Sequence, residues 1–258
     1  MSEHPFEGEG FDRDRAIRFW DDLADYYEGG TMQADIPIKI IDHLEENGII
    51  GKGSDIIEYG CGPGTYTIPL SERVHTITCV DTSDKMLSML SERCASNNII
   101  PLKGDFMTVP LSRRYDASVM SLCPGSGSKD AILRAESSVT GWCVHIMWLV
   151  NCWDDVAASI WKELGKDYSF EQRKSGIMES NLNSLGREYT VREFSTDLHI
   201  EASAKDVIER EKKRFALYGP YDAEDAIRKV LGKYIEDGRF VYDCTNRMKL
   251  IYWRPAAC

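Results

Sequence analysis

The run Ser54-Asp55-Ile56-Ile57-Glu58-Tyr59-Gly60-Cys61-Gly62-Pro63-Gly64, with Val80-Asp81 seventeen residues beyond it, has the make-up of a nucleoside pocket. Ser54 to Tyr59 reads as a short buried strand, after which Gly60, Gly62 and Gly64 let the chain turn tightly and bring bare backbone to a ligand. A second strand, Val74 to Val80, delivers Asp81, whose carboxylate is suited to accept both hydrogen bonds of a ribose diol. Strand, glycine turn, helix, strand and acid then follow in the order of a nucleoside-binding β-α-β unit. Two other readings stay open: the glycines serve only a turn, with Asp81 and Asp105 as helix caps, or the loop takes another nucleotide.

A pyrophosphate site has the pattern G-x-G-x-x-G, whereas this chain has G-x-G-x-G with Glu58 two residues before the first glycine. A carboxylate so near the loop opposes a phosphate and suits a cation, such as a sulfonium carrying an amino-acid tail. On these residues the chain resembles the class I S-adenosylmethionine-dependent methyltransferases, whose first motif, E/D-x-G-x-G-x-G, is matched by Glu58 to Gly64. Their acid after the second strand is matched by Asp81, and their acidic motif after the third strand by Gly104-Asp105-Phe106. The resemblance is strongest over about residues 50 to 150.

The resemblance implies S-adenosyl-L-methionine as cofactor, with Gly60, Gly62 and Gly64 lining its methionine end and Asp81 holding the ribose hydroxyls. It implies that Asp105 bonds the adenine amino group while Phe106 packs beside the ring. Glu58 and Ser121, at the ends of the first and fourth strands, complete the cofactor set. It also implies a Rossmann-like α/β fold: a seven-stranded, mostly parallel sheet with helices on both faces.

The elements that must position these groups follow from pattern. Asp12 to Tyr27 carries Ile17, Trp20, Leu23 and Ala24 at helical spacing, and Gly29-Gly30 ends it; this segment resembles the N-terminal lid of small-molecule members of the family. A second helix covers 36–46. Strands are expected at 54–59, 74–80, 99–102, 115–121 and 142–150, with helices at 84–94, 128–137 and 154–164 between them. That alternation is the signature of a parallel sheet covered on both faces, with active groups at the carboxyl ends of its strands. Glu58, Asp81, Asp105, Ser121 and Trp148 then share one rim. Residues 166–187 look irregular, a strand is expected at 188–195, and helices at 203–217 and 223–237 form a substrate-side insertion before extended segments at 239–242 and 248–253. The expected division is a lid at 1–48, a cofactor core at 49–200, an insertion at 201–238 and closing strands at 239–258.

The formal net charge is −11, from 42 acidic and 31 basic residues, which opposes a broad nucleic-acid-binding face. DNA is therefore not an expected partner. RNA stays open through a local basic patch, the densest being Arg210-Glu211-Lys212-Lys213-Arg214. No run reaches the roughly 18 apolar residues that span a membrane, and Met1 to Asp14 lacks secretory character, so a cytoplasmic location is expected. The eight cysteines contain no C-x-x-C pair; buried examples such as Cys79 and Cys143 read as small hydrophobes of a reducing compartment, and no metal site is expected. A homodimer is left open.

Methyl transfer from a sulfonium is an in-line displacement, so the protein must mainly align the acceptor, with a proton acceptor needed only for some nucleophiles. Tyr27 on the lid, His145 in the fifth strand and Tyr221, paired with Tyr218 in the insertion, are the candidates for that polar work. A structural histidine and packed tyrosines are the competing readings. Ser121-Leu122-Cys123-Pro124-Gly125-Ser126-Gly127-Ser128 follows the fourth strand, where many base- or glutamine-modifying relatives carry Asn/Asp-Pro-Pro-Tyr/Phe. Its absence favours a small-metabolite acceptor at nitrogen, oxygen or sulfur. An RNA or protein methyltransferase, a metalloid methyltransferase and a noncatalytic adenosylmethionine-binding regulator are the alternatives.

Overall fold

The computed structural model describes residues 13–24, 35–166, 176–216, 218 and 222–256 of the chain. It divides into two compact units, and each draws on separate stretches of sequence. Residues 35–148, 175–194 and 248–258 make the larger unit; 1–34, 149–174 and 195–247 make the smaller. The expected insertion at 201–238 falls wholly in the smaller unit, which also takes in 149–174. Among the described residues no helix is long and apolar enough to cross a membrane.

The larger unit is built on strands β1 (Asp55–Tyr59), β2 (Thr76–Asp81), β3 (Ile99–Lys103), β4 (Tyr115–Ser121), β5 (Val139–Val150), β6 (Tyr189–Ser203) and β8 (Arg239–Trp253), of which β5, β6 and β8 run on into the smaller unit. Their order is β3-β2-β1-β4-β5-β8-β6, and short β7 (Ile235–Glu236) pairs with β8, giving eight strands in all. The β1-β2, β1-β4, β2-β3 and β4-β5 pairs are parallel.

Central strands β1, β2 and β4 are buried almost throughout, as parallel strands covered on both faces must be. Alternation assigns their side chains to two cores. Ile56, Ile77, Val119 and Val144 join Ile36, Ile40 and Leu44 of helix α2 (Ile36–Glu46) on one face. On the other, Ile57, Tyr59, Val80, Met120 and Cys143 meet Ile132 and Ala135 of α5 (Lys129–Ser137) and Met178 and Leu182 of α7 (Ile177–Ser184). Helix α3 (Thr67–Ser71) is short and carries Pro69 near its start, where its missing N–H costs little. Ser83 caps α4 (Asp84–Arg93) by accepting from Met86 N at 3.1 Å, and Ser128 caps α5 by accepting from Ala131 N. Buried Glu136 of α5 accepts from Arg187 at 2.7 and 2.9 Å and from the Trp253 indole at 3.0 Å, so one carboxylate ties three segments together.

The smaller unit holds α1 (Arg13–Ala24), α6 (Cys152–Glu163), α8 (Ala204–Ala216), α9 (Glu224–Leu231), β7 and parts of β6 and β8. Its core is aromatic: Phe19, Trp153, Trp161, Phe215, Tyr218 and Phe240 pack with Ile227 and Leu231. The Trp161 and Phe215 ring centres lie 4.8 Å apart. Cys152, first residue of α6, is held by three residues on one face of β8. Tyr242 Oη donates to its carbonyl at 3.1 Å, Asn246 Oδ1 accepts from its N–H at 2.7 Å, and Cys244 is disulfide-bonded to it.

Several expectations change here. The stretch 166–187 contains a helix, α7. The helix expected to reach residue 237 stops at Leu231, followed by a 3-10 turn (Gly232–Tyr234) and by β7. Asp237 and Gly238, at φ of 48° and 76°, form the two-residue turn between β7 and β8, the left-handed conformation that an Asp-Gly hairpin takes. The two extended segments expected at 239–242 and 248–253 are one strand, because Tyr242, Cys244 and Asn246 point inward while Asp243, Thr245 and Arg247 face solvent. The strand expected at 188–195 runs on to Ser203.

Candidate active site

The glycine loop leaves β1 with Gly60, Gly62 and Gly64 at φ of 71°, 52° and 93°, in the left-handed region. At Gly60 space is also decisive: a Cβ would lie 2.8 Å from Cys123 Sγ. At Gly62 a Cβ would meet nothing within 4 Å, so that backbone faces open space. The loop is tied to β2, since Gly60 N and Cys61 N both donate to Val80 O, at 2.8 and 3.2 Å.

Asp81, at the end of β2, bonds directly to the loop: its Oδ2 accepts from Gly62 N at 2.8 Å, and its Oδ1 accepts from Ser83 N at 2.9 Å. A carboxylate at this position is the acceptor chemistry that a hydroxyl donor requires. Asp105, just after β3, accepts from Met107 N at 2.6 Å in a tight turn. Both acids thus hold turns, and neither is buried. The Phe106 ring lies 5.8 Å from that of Tyr59, and its carbonyl accepts from Arg134 Nε at 2.9 Å.

Glu58 is fully enclosed beneath the loop. Its Oε2 accepts from Thr67 Oγ1 at 2.6 Å and its Oε1 from Ser121 Oγ at 2.8 Å. Burial pushes its pKa up to about 7 against the pull of the two hydroxyls, and the Asp81 charge pushes the same way. Near neutrality the group is thus partly protonated, which weakens the charge argument that the sequence offers against a phosphate. Thr67 carries no signal in the sequence as a partner of Glu58; only the short helix after the loop brings it there.

Ser121 ends β4, and Leu122 after it has φ of 51°, a strained conformation for a branched side chain, with its N–H donating to Ile146 O at 2.9 Å. Cys123 is buried against Gly60, and burial pushes its thiol well above the usual range. His145 lies opposite Met120, one residue short of the Ser121 level, and is buried. Its Nε2 is 2.8 Å from Ser126 Oγ, and burial lowers its pKa to about 4, with Glu179 opposing and Lys249 adding to the shift. Trp148 packs partly buried against the α2-side core. Tyr27 and Tyr221 lie outside the described residues. Tyr218 is buried in the smaller unit's aromatic core, its ring centre 5.4 Å from those of Phe19 and Trp161. Among the described residues no group of three or more His, Cys, Asp or Glu is arranged to hold a metal ion.

Residues 56–137 match the family model described as a methyltransferase domain. No curated protein matches the chain by sequence. Among solved structures, the DhpI complex with SAH is similar over 95% of this chain and 97% of its own, with 14% identity and a TM-score of 0.55. Magnesium protoporphyrin IX methyltransferase (ChlM) from Synechocystis PCC 6803, with bound SAH, is similar over 97% of this chain and 96% of its own, with 15% identity and a TM-score of 0.52. The YcgJ protein of Bacillus subtilis follows at 11% identity and a TM-score of 0.52, over 84% of this chain and 98% of its own. At such identities the structures establish the fold alone. Residues 56–137 of this chain are thus similar to a methyltransferase domain, and the chain has the fold of the class I S-adenosylmethionine-dependent methyltransferases.

Proposed function

We propose that the protein is an S-adenosylmethionine-dependent methyltransferase acting on nitrogen, oxygen or sulfur of a small metabolite. The observation that carries this is the 2.8 Å bond from Gly62 N to Asp81 Oδ2, which joins the glycine turn and the acid of the next strand in one site. The residues fit the cofactor. A Cβ at Gly62 would meet nothing within 4 Å, Asp81 brings a carboxylate to the loop, and Asp105 with Phe106 stands after the neighbouring strand. When bound, the cofactor supplies an electrophilic methyl group on a sulfonium. What this chain contributes is alignment: Asp81 orients the ribose, while Glu58, Thr67 and Ser121 lock the strand ends beneath the loop. Tyr27, Tyr221 and His145 are proposed to act on the acceptor side.

A small acceptor is supported by the net charge of −11 and by the lack of an Asn/Asp-Pro-Pro-Tyr/Phe sequence after β4. ChlM, by its name a methyltransferase of magnesium protoporphyrin IX, shows the same fold applied to a small molecule. The experiment is incubation with methyl-labelled adenosylmethionine and a cell extract fractionated by size, nuclease and protease. Label in the low-mass fraction is expected. Label lost on nuclease or protease treatment would overturn the small-molecule reading, and no label at all, with no binding of adenosylhomocysteine by calorimetry, would overturn the methyltransferase reading.

A further inference from the structure

Eight cysteines lie along the chain, and among the described residues five, Cys61, Cys79, Cys94, Cys123 and Cys143, are unpaired. Cys61, Cys79, Cys123 and Cys143 are buried, and burial holds the Cys123 and Cys143 thiols well above their usual range, the latter at about 12. Those sulfurs are poor nucleophiles. Cys152 and Cys244 differ: they are 92 residues apart in sequence with Cα atoms 5.7 Å apart, inside the range a disulfide requires, and Cys244 is only partly buried.

The grip on Cys152 does not depend on sulfur. Tyr242 and Asn246, two residues either side of Cys244 on the same face of β8, hold the carbonyl and N–H of Cys152. With both thiols reduced, these two bonds still keep the sulfurs within reach of one another. The pair therefore has a high effective concentration in the folded chain, and closing or opening it requires little rearrangement. Position gives the bond its consequence. Cys152 stands four residues after Trp148 and Cys244 four before Met248, beside two of the points where the chain passes between units. Closure fixes the first turn of α6 to the middle of β8 within the smaller unit.

We propose that Cys152 and Cys244 form a reversible dithiol–disulfide couple, a redox-sensitive latch on the smaller unit. Oxidation is by thiol–disulfide exchange with a low-mass disulfide such as oxidised glutathione. The more exposed Cys244 thiolate attacks it and forms a mixed disulfide, releasing one glutathione thiol. Cys152 then displaces the second. Overall, two protein thiols become one disulfide, and one glutathione disulfide becomes two thiols. The proposal is independent of the methyl acceptor and of cofactor binding.

The test equilibrates the full chain across a series of oxidised-to-reduced glutathione ratios, quenches with acid, alkylates under denaturant and weighs the intact protein. The expected result is loss of two alkylatable thiols in a single two-electron step, mapping to the Cys152 and Cys244 peptides. That step is absent in Cys244→Ser and retained in Cys94→Ser. Asn246→Ala and Tyr242→Phe, which loosen the grip, are expected to move the midpoint at least threefold toward oxidised glutathione. Hydrogen exchange should be at least tenfold slower in the first turn of α6 and in β8 residues 239–246 of the oxidised form. A pair that stays reduced throughout, that stays oxidised in fully reduced glutathione, or that leaves exchange unchanged would overturn the latch.

Discussion

Ser121 Oγ donates to Glu58 Oε1 at 2.8 Å, joining the ends of β4 and β1 directly below the glycine loop. With Thr67 on the other oxygen, the carboxyl group is the single acceptor for two buried hydroxyls. Glu58→Ala is expected to cost about 2 to 4 kcal/mol in chemical denaturation, since both hydroxyls lose their partner. Glu58→Gln keeps the shape and one acceptor and should cost less than half as much. Equal losses would show that the shared acceptor is not what stabilises the site.

Glu58 and His145 oppose each other in pH. The folded-state pKa of Glu58 is raised from 4.5 to about 7, so its contribution to stability is full below pH 4.5 and declines by about 3 kcal/mol as pH rises to 7. That of His145 is lowered from 6.5 to about 4, so its contribution is lost, by about 3 kcal/mol, as pH falls from 6.5 to 4. Between pH 4.5 and 6.5 the two slopes nearly cancel. Urea unfolding across this range should give stability that rises with pH in Glu58→Gln and falls with pH in His145→Gln. Parallel profiles in the two variants would contradict the assignment.

Asp81→Ala should weaken adenosylhomocysteine binding by more than tenfold, and by more than Asp105→Ala, because it removes both a two-point acceptor and the anchor of Gly62. Titration calorimetry on folded variants checks this. Equal affinity of Asp81→Ala and wild type would remove Asp81 from the cofactor site.

Gly60→Ala combines a φ of 71° with a Cβ placed 2.8 Å from Cys123 Sγ, and should cost about 2 kcal/mol or more. Part of that cost is the thiol contact. A double-mutant cycle with Cys123→Gly is expected to show coupling of at least about 0.5 kcal/mol, and strict additivity would place the cost in the backbone alone.

Glu136→Ala strands the Arg187 guanidinium and the Trp253 indole N–H, both only slightly exposed or buried. The expected loss is about 3 to 5 kcal/mol. A loss under about 1 kcal/mol, read from the denaturation midpoint, would mean that solvent replaces the carboxylate there.

The core of the larger unit was legible because its strands are short apolar runs ending in residues that must do something: Gly60 after β1, Asp81 at the end of β2, Ser121 at the end of β4. Side chains there alternate as the pattern requires, and the loop glycines take the backbone angles that their type permits. What stayed hidden depends on partners distant in sequence. Glu58 gives no sign that Thr67 and Ser121 will enclose it, and Cys152 none that Cys244 lies beside it. Asp237-Gly238 did carry a local turn signal, but the helical pattern of Ala226, Ile227 and Val230 upstream drew the expected helix across it. Polar Asp243 to Arg247 hid a continuous strand, since its inward positions are filled by tyrosine, cysteine and asparagine rather than by aliphatic residues.

In the sheet order β8 stands between β5 and β6, yet it is synthesised after both. As the chain leaves the ribosome, β1 to β5 can assemble early, whereas β6 emerges with its neighbour still unmade. Residues 239–253 must then arrive between two waiting strands, completing both units in one insertion. A chain stalled or cut short before them exposes two strand edges at once, so nascent or truncated forms should depend on chaperones far more than the finished protein does.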